Sequence, residues 1–319
     1  MITIKVQGGV HIEGGGRYIL ADPRSRPPKL PNVVLLSHAH RDHYSPSVIK
    51  FLRKIPIVMC RATRRLVDPH GKLANVVEVE PGGEVEVAGL NIRAYEAGHI
   101  IGSLQFSFEL QSKAITYTGD FNSERRVILR PAEIVKSDIL VIDATYGNPS
   151  FSFPERAELY GRLVRAVREE VESGGRVLIK GRRLGVAQEI TALISLSLRT
   201  PPVVEERIAR YNRFYEESGE FIGSYISSSS LGGNGGIAIA GLSSQARGFS
   251  KSIICTGWAV RRGIPLSSHV GYARILDYVL RSGASVVIPF VGYRKAFAER
   301  LKSEYGIESS WADKLVIAT

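Results

Sequence analysis

The chain has 319 residues, of which 44% are hydrophobic and 23% charged, a composition that excludes a wholly disordered protein. Its 42 Lys and Arg against 31 Asp and Glu give a net charge of +11, which favours a polyanionic partner such as nucleic acid. Two cysteines, Cys60 and Cys255, are too few for a disulfide framework. Because the sequence has no run of about 20 apolar residues, we expect a soluble, cytoplasmic protein that does not bind membranes.

Residues 1–150 have the pattern of short strands. Apolar or alternating runs such as ITIKV, VVLLS and ILVID are separated by Gly, Pro, Asn and Asp. One helix is predicted in this stretch, with Ser45 as its N-cap, Pro46 at its first position and an apolar stripe that begins at Val48.

The pattern changes after Pro149. A charged amphipathic helix is predicted over 155–172, and strands and helices then alternate, as a parallel sheet requires. The Gly- and Ser-rich residues 223–236 predict a loop. From about 250 the pattern returns to strand (SIICTGWAV), helix (YARILDYVLRSG), strand (SVVIPFV) and helix (RKAFAERLKSEY).

Three of the seven histidines lie in the segment SHAHRDH, which follows the apolar run VVLL. His38 and His40 are two residues apart, so in extended backbone both rings leave on the same face. Asp42 and His43 continue into a turn that directs them to a neighbouring point. Imidazole nitrogens and carboxylate oxygens at such a site suit zinc.

Further candidate ligands follow other predicted strands. His99 lies in AGHIIGS, Asp120 in TGD, and His269 in SSHVGY before a helix. Each of them sits in a turn or loop that can bring a side chain to a common site.

With these motifs the chain resembles the metallo-β-lactamase superfamily and, within it, the β-CASP nucleases, in particular the DNA-acting Artemis-like and DNA-ligase-associated exonucleases. The HxHxDH motif matches at His38, His40, Asp42 and His43, and the AGH and TGD elements match at His99 and Asp120. Four further positions match the superfamily's first Asp and the three β-CASP motifs, in order Asp22, Asp143, His269 and Val291. In LGVAQEI, Val186 replaces the arginine of the family's LGRAQEL segment.

The resemblance implies a mixed α/β fold, an αββα sandwich with an inserted β-CASP-like α/β cap domain. The implied boundaries are 1–150 for the first part of the metallo-β-lactamase core, 151–249 for the cap and 250–319 for the C-terminal part of the core.

The resemblance also implies two zinc ions and a reaction. His38, His40 and His99 bind one zinc, Asp42 and His43 bind the second, and Asp120 bridges them. Metal-activated hydroxide then attacks the scissile phosphate. Asp22 holds a ligand histidine in one tautomer. Asp143 either does similar work or caps a turn, and His269 either protonates the leaving oxygen or contacts the phosphate.

Val291 bears on the substrate, because RNA-acting relatives usually have histidine at this position and DNA-acting relatives usually have valine. Valine cannot bind a metal, so the second zinc site is expected to be the weaker one. The resemblance therefore favours DNA over RNA.

The predicted phosphate contacts are arginine pairs that follow predicted strands. The alternative for each pair is that it simply lies on the solvated surface. These pairs are Arg182 and Arg183, Arg261 and Arg262, and Arg125 and Arg126. Three aromatic residues of the linker to the cap are predicted to stack on bases or to pack internally, namely Tyr146, Phe151 and Phe153.

These observations favour a zinc-dependent DNA exonuclease. The first alternative is an RNA-processing β-CASP ribonuclease that resembles an mRNA 3′-end-processing factor. A glyoxalase-type hydrolase is disfavoured by the cap and the net charge. An inactive nucleic-acid-binding subunit is disfavoured because every metal-ligand position except that of Val291 carries a ligand residue.

Overall fold

The computed structural model describes residues 1–231 and 236–318. The chain divides into two compact units. The core unit comprises Met1–Ser123, Pro131–Ser150 and the chain from Gly271 onward, and the inserted unit comprises Glu124–Arg130 and Phe151–Val270. Within the described part of the chain, no helix is long and apolar enough to cross a membrane.

Strands predominate up to Ser150, and strands and helices alternate after it. The first stretch contains β1 (Ile2–Val6), β2 (Val10–Gly14), β3 (Arg17–Ala21), β4 (Val33–Leu35), α1 (Pro46–Phe51), β5 (Ile57–Met59), α2 (Arg61–Val67), β6 (Val76–Glu78), β7 (Glu84–Val87), β8 (Leu90–Glu96), β9 (Leu104–Leu110), β10 (Lys113–Tyr117) and β11 (Ile139–Ala144). The inserted unit adds α3 (Arg156–Glu172), β12 (Val177–Gly181), α4 (Val186–Leu198), β13 (Val203–Glu205), α5 (Glu206–Glu217), β14 (Ile226–Ser228), β15 (Ile237–Gly241) and β16 (Lys251–Ile254). The chain continues with α6 (Tyr272–Ser282), β17 (Val286–Gly292), α7 (Arg294–Tyr305), β18 (Glu308–Ser309) and β19 (Lys314–Ile317).

Two sheets form the centre of the core unit. Their described strands run in the orders β19-β1-β2-β3-β4-β5-β6 and β18-β17-β11-β10-β9-β8-β7. Alternate residues of β1 and β8 are buried, as strands with one inward face require. The inward side chains of both sheets form one apolar cluster that includes Ile4, Ile12, Phe106, Ile115 and Val141.

Helices cover the outer faces of both sheets. Val48 and Ile49 of α1 pack with Leu36 and Met59 on the first sheet. The second sheet is contacted by α6 at β11 and by α7 at β17. The helix-sheet-sheet-helix order confirms the predicted αββα sandwich.

The inserted unit is built on a sheet of order β14-β13-β15-β12-β16, and every strand pairing in it is parallel. The predicted parallel sheet is therefore confirmed. Apolar residues of α3, α4 and α5 form its core with β12 and β15, for example Leu163, Ile190 and Ile208 with Ile179 and Ile239.

The compact units end at different residues from the predicted domains. Because β16 pairs with β12, the residues after 250 belong to the inserted unit as far as Val270, and Glu124–Arg130 joins it as well. The predicted loop 223–236 contains the short strand β14, and its residues 232–235 lie outside the described residues.

Candidate metal centre

The histidine segment begins where the central strand β4 ends. All three residues of β4 are buried, and β4 pairs in parallel with β3 and with β5. The chain leaves this strand as Leu36 and Ser37, and His38, His40 and His43 follow with their side chains buried. A strand inside the sheet thus fixes the start of the segment.

Four ligand side chains converge at one point in the core unit. One ligand atom each from His38, His40, His99 and Asp120 lies within 4.8 Å of the others. The Nδ1 atom of His40 is 3.1 Å from Nε2 of His38 and 2.9 Å from Nε2 of His99. Asp120 Oδ2 lies 3.6 Å from Nε2 of His38 and 3.4 Å from Nε2 of His99.

Close packing of two loops brings Asp120 to the histidines. Gly119, directly before Asp120, has φ of +53°, in the left-handed region that favours glycine. A Cβ atom at this position would lie 2.5 Å from Cβ of Ser37, which is too close for any other residue. The TGD turn therefore needs its glycine in order to pack against the start of the histidine segment.

Hydrogen bonds fix the tautomer of His38. The Ser37 hydroxyl donates to Asp22 Oδ2 at 2.6 Å and lies 2.9 Å from Nδ1 of His38. Because its only proton is directed to the carboxylate, the hydroxyl accepts from Nδ1–H of His38. The Nε2 lone pair of His38 is then directed at the cluster, as metal binding requires.

Asp22 holds His43 in the same way. Oδ2 of Asp22 lies 2.7 Å from Nδ1 of His43 and also accepts the Tyr117 hydroxyl at 2.7 Å. Nε2 of His43 lies 3.1 Å from Oδ2 of Asp120. Burial lowers the pKa of His43, but the carboxylates of Asp120 and Asp22 outweigh burial and raise it well above the usual value.

A cavity of about 70 Å³ adjoins His43 in the core unit. Its wall includes Asp42, which is exposed, together with Asp22, Arg24, Phe290 and Val291. Sequence reasoning missed Arg24, Ser37 and Tyr117. The only sequence signal for these three residues was that Arg24 lies two residues after Asp22, close enough in the chain to border the same site.

The donor set fits a divalent metal ion. Three buried imidazoles and a carboxylate share one point, and neighbouring groups hold the proton of His38 away from it. Nitrogen and oxygen donors in sets of three or four match zinc and related divalent ions. Among the described residues, a second group of ligand atoms within 4.8 Å of one another comes from Asp22, His38 and His43.

Comparison with known families places the candidate metal ligands in a recognised domain. Residues 16–162 match the sequence family described as the beta-lactamase superfamily domain, and this stretch contains every residue of the two ligand groups above. Residues 16–162, just under half of the chain, form a metallo-β-lactamase-superfamily domain.

Curated relatives of this metallo-β-lactamase-like chain are longer proteins. It is 26% identical over 297 residues to a "Probable DNA ligase" of Opitutus terrae, an alignment that covers 87% of this chain and 28% of the relative. An "RNase J-like protein" of Methanocaldococcus jannaschii is 31% identical over 190 residues, 54% of this chain and 45% of the relative. The "RNase aCSPSF2" of Saccharolobus solfataricus is 31% identical over 147 residues, 45% of this chain and 30% of the relative.

The fold also recurs in a solved structure, that of a protein of unknown function from Enterococcus faecalis V583. The TM-score is 0.64 at 13% identity, and the match covers 99% of this chain and 100% of the other. At this identity the likeness concerns the fold alone.

Two of the positions that resemble β-CASP motifs in the sequence pair with each other in the core unit. Asp143 on β11 is the register partner of Val291 on β17, at an irregularity in an otherwise continuous parallel pairing. Oδ1 of Asp143 accepts hydrogen bonds from the backbone N–H and the hydroxyl of Thr145, at 2.7 and 2.6 Å. Asp143 therefore closes the turn that follows β11, and any further role for it stays a prediction.

The inserted unit holds His269 and the predicted arginine pairs. The backbone N–H of His269 donates to the Ser267 hydroxyl at 3.1 Å, and the His269 side chain is partly buried. Arg182 is partly buried, whereas Arg261 and Arg262 are exposed. Their roles toward substrate stay predictions.

Arg183 and Arg126 already have carboxylate partners. Nε of Arg183 donates to both carboxylate oxygens of Glu205, at 2.9 and 3.0 Å. Arg126 is only 8% exposed, and its guanidinium pairs with Glu189. The prediction that Arg126 contacts phosphate is wrong, because its charge is buried and compensated.

Two of the predicted base-stacking residues are buried in the fold. Tyr146 is 3% exposed and Phe151 is 8% exposed, so neither presents a ring face to a nucleic acid. Packing, the alternative role, applies to both, and Phe153 is partly buried.

Proposed function

We propose that this chain is a zinc-dependent phosphodiesterase of the β-CASP branch that cleaves nucleic acid, with DNA as its favoured substrate and exonucleolytic cleavage as its mode. The convergence of His38, His40, His99 and Asp120, with His43 beside them, carries this proposal. The names of the relatives, a DNA ligase and two RNases, support nucleic acid as the substrate class.

We assign one zinc site to His38, His40, His99 and Asp120, and a second to His43, Asp42 and the same aspartate. When bound, the metal supplies positive charge against the phosphoryl oxygens and lowers the pKa of a water molecule. The second site is the weaker one, because Asp42 is exposed and Val291 offers no ligand atom.

The protein's own groups hold the ligands in position. Asp22 accepts the Nδ1 proton of His43, and Ser37 accepts that of His38, so Nε2 of each ring is directed at the site. Arg24 borders the cavity beside His43, and across residues 1–231 and 236–318 its guanidinium forms no ion pair. Its charge is available to a substrate phosphate. His269 is our candidate for protonating the leaving oxygen or contacting the phosphate.

DNA is the first choice of substrate for two reasons. Val291 stands where DNA-acting relatives carry valine, and the DNA ligase alignment covers 87% of this chain. The second candidate is RNA, which the names of the two RNase relatives favour. Their alignments cover 54% and 45% of this chain.

The test uses zinc-loaded protein with end-labelled single-stranded DNA, double-stranded DNA and RNA of matched sequence. We expect DNA to be degraded faster than RNA and mononucleotides to accumulate from one end. Asp120→Asn should abolish cleavage and leave the circular dichroism spectrum unchanged, because it removes charge from the ligand set at nearly constant volume.

Asp277→Asn is the matched control, because the Asp277 side chain on α6 is 41% exposed and pairs only with Arg281 among the described groups. An undiminished cleavage rate in Asp120→Asn contradicts the proposed function. RNA cleavage at least as fast as DNA cleavage replaces the DNA assignment with the RNA-processing alternative.

A further inference from the structure

The loop 256–263 of the inserted unit is fixed by its own backbone. It follows β16, and the backbone N–H of Ile264 donates to Ile254 O at 3.0 Å while Ile264 O accepts from Thr256 N–H at 3.3 Å. Gly263 has φ of +129°, and a Cβ atom there would lie 2.7 Å from Ile254 O. These contacts close the base of the loop directly after the strand.

Trp258 lies at this tip and is unusually exposed for its size. Its side chain sits in a short 3-10 helix, Gly257–Ala259, and is 57% exposed. The Phe151 ring contacts it on one side, with ring centroids 5.1 Å apart and planes at 85°. Phe151 is itself buried, so it supports the indole and leaves much of the ring open to solvent.

Two uncompensated cations follow Trp258 in the same loop. Arg261 and Arg262 are exposed, and throughout the described chain no carboxylate or hydrogen-bond acceptor engages either side chain. Arg183 and Arg126, in contrast, are held by Glu205 and Glu189. The loop therefore presents one aromatic ring beside two free positive charges.

We propose that Trp258 stacks on a base of single-stranded DNA while Arg261 and Arg262 contact the adjoining phosphates. This inference rests on the proposed function, because it identifies one contact of the same substrate. Aromatic stacking beside a positively charged surface is the general way in which proteins bind single strands without reading sequence. The two free charges favour a polyanion over an apolar protein partner.

Tryptophan fluorescence tests the contact without cleavage. The chain has two tryptophans, so Trp311→Phe leaves Trp258 as the only one, and excitation beyond the tyrosine absorption band selects its emission over that of the 13 tyrosines. This protein, kept metal-free with a chelator, is titrated with oligothymidylate and with an abasic oligomer of equal length and charge. We expect oligothymidylate to quench the emission and the abasic oligomer to leave it unchanged.

Affinity measurements with matched variants complete the test. Trp258→Ala should weaken oligothymidylate binding roughly tenfold, equivalent to about 1.4 kcal/mol, and leave binding of the abasic oligomer unchanged. Trp258→Phe should restore most of the affinity. Trp311→Ala is the control, because Trp311 is 47% exposed but belongs to the core unit, where the Lys295 ammonium lies 5.2 Å from its ring centroid.

Equal losses on both oligomers, or no loss on either, overturn the stacking contact. If Trp258→Ala binds oligothymidylate as the unaltered protein does while the latter still degrades DNA, the inference fails and the proposed function stands. If the unaltered protein degrades neither DNA nor RNA, the proposed function itself fails.

Discussion

At the scale of single residues, Asp22 organises the candidate metal centre without belonging to the four-ligand cluster. Its Oδ1 accepts the backbone N–H of Ser37 at 2.8 Å, and its Oδ2 accepts the Ser37 hydroxyl at 2.6 Å. The same Oδ2 accepts from His43 and Tyr117. One carboxylate thus orients two of the candidate ligand histidines, His43 directly and His38 through Ser37.

We expect Asp22→Asn to weaken zinc binding about 10- to 100-fold, the usual loss when a group behind a ligand histidine is removed. Where the amide NH2 replaces Oδ2, the donors of Ser37, His43 and Tyr117 lose their acceptor. The free energy of unfolding should therefore also fall, by about 1–3 kcal/mol. Zinc retained after dialysis against graded chelator, together with thermal unfolding, measures both effects.

Tyr117→Phe is the matched control, because it removes one donor and keeps the carboxylate. Its zinc affinity should stay close to that of the unaltered protein, and its stability should fall by about 1 kcal/mol. Equal zinc retention by Asp22→Asn and the unaltered protein contradicts the positioning role.

How far the sequence predicts this centre depends on spacing along the chain. His38, His40 and His43 are recognisable because their spacing is local, and His99 and Asp120 because glycine-containing motifs surround them. Ser37 and Tyr117 carry no such signal. Tyr117 lies 95 residues from Asp22 in the chain, and only the pairing of the strands brings its hydroxyl to that carboxylate.

At the scale of elements, apolar or alternating runs predicted most strands, because strands such as β1 and β8 bury alternate residues and strands such as β4 and β11 bury every residue. The helix α2, Arg61–Val67, was missed, since only Thr63 of its residues is buried and no apolar stripe marks it. The predicted strand SIICTGWAV ends early, at Ile254, because a 3-10 helix follows. The pairing of β16 with β12 is long-range information, and so the predicted boundary at 249 lies before the end of the inserted unit.

A buried charge cluster joins three segments of the inserted unit. Glu189 on α4 accepts from Nε of Arg126 at 3.0 Å, from Nη1 of Arg156 on α3 at 3.2 Å and from the Tyr160 hydroxyl. Burial raises the pKa of Glu189, but the two guanidinium groups outweigh burial and hold it below its ordinary value of 4.5. Arg156 also pairs with Glu124, so the cluster ties Glu124–Arg130 to the two helices.

We expect Glu189→Gln to lower the free energy of unfolding of the inserted unit by about 3–5 kcal/mol, because it removes the carboxylate from a buried ion pair with Arg126. Since the pKa of Glu189 is lower in the folded state, its contribution is complete above about pH 4.5 and is lost as the pH falls through the folded-state value. The stability difference between variant and unaltered protein should therefore shrink in acid.

Urea unfolding across a pH series measures this difference, and Glu172→Gln is the control. Glu172 is exposed at the end of α3, so its substitution should change stability by less than about 0.5 kcal/mol at every pH. A loss for Glu189→Gln that does not change with pH contradicts the assigned role of its ionised carboxylate.

At the scale of the whole molecule, the net charge of +11 overstates the cations available to a polyanion. Arg126 and Arg156 are buried against carboxylates, and Arg183 is held by Glu205. A sequence count treats these arginines like the exposed Arg261 and Arg262. Which arginines meet a phosphate depends on local pairing, which only the folded structure reveals.

We therefore expect the paired and the free arginines to differ in the salt dependence of DNA binding. Removing one phosphate interaction with a single strand reduces the slope of log K against log salt concentration by about 0.7. Arg261→Ala with Arg262→Ala should reduce the slope by about 1.4, one interaction for each side chain. Arg183→Ala should leave it nearly unchanged, because Glu205 already engages that guanidinium at 2.9 and 3.0 Å. Titrating metal-free protein with oligothymidylate at several salt concentrations gives the slopes. If Arg183→Ala reduces the slope as much as the double variant does, Glu205 releases Arg183 to the substrate.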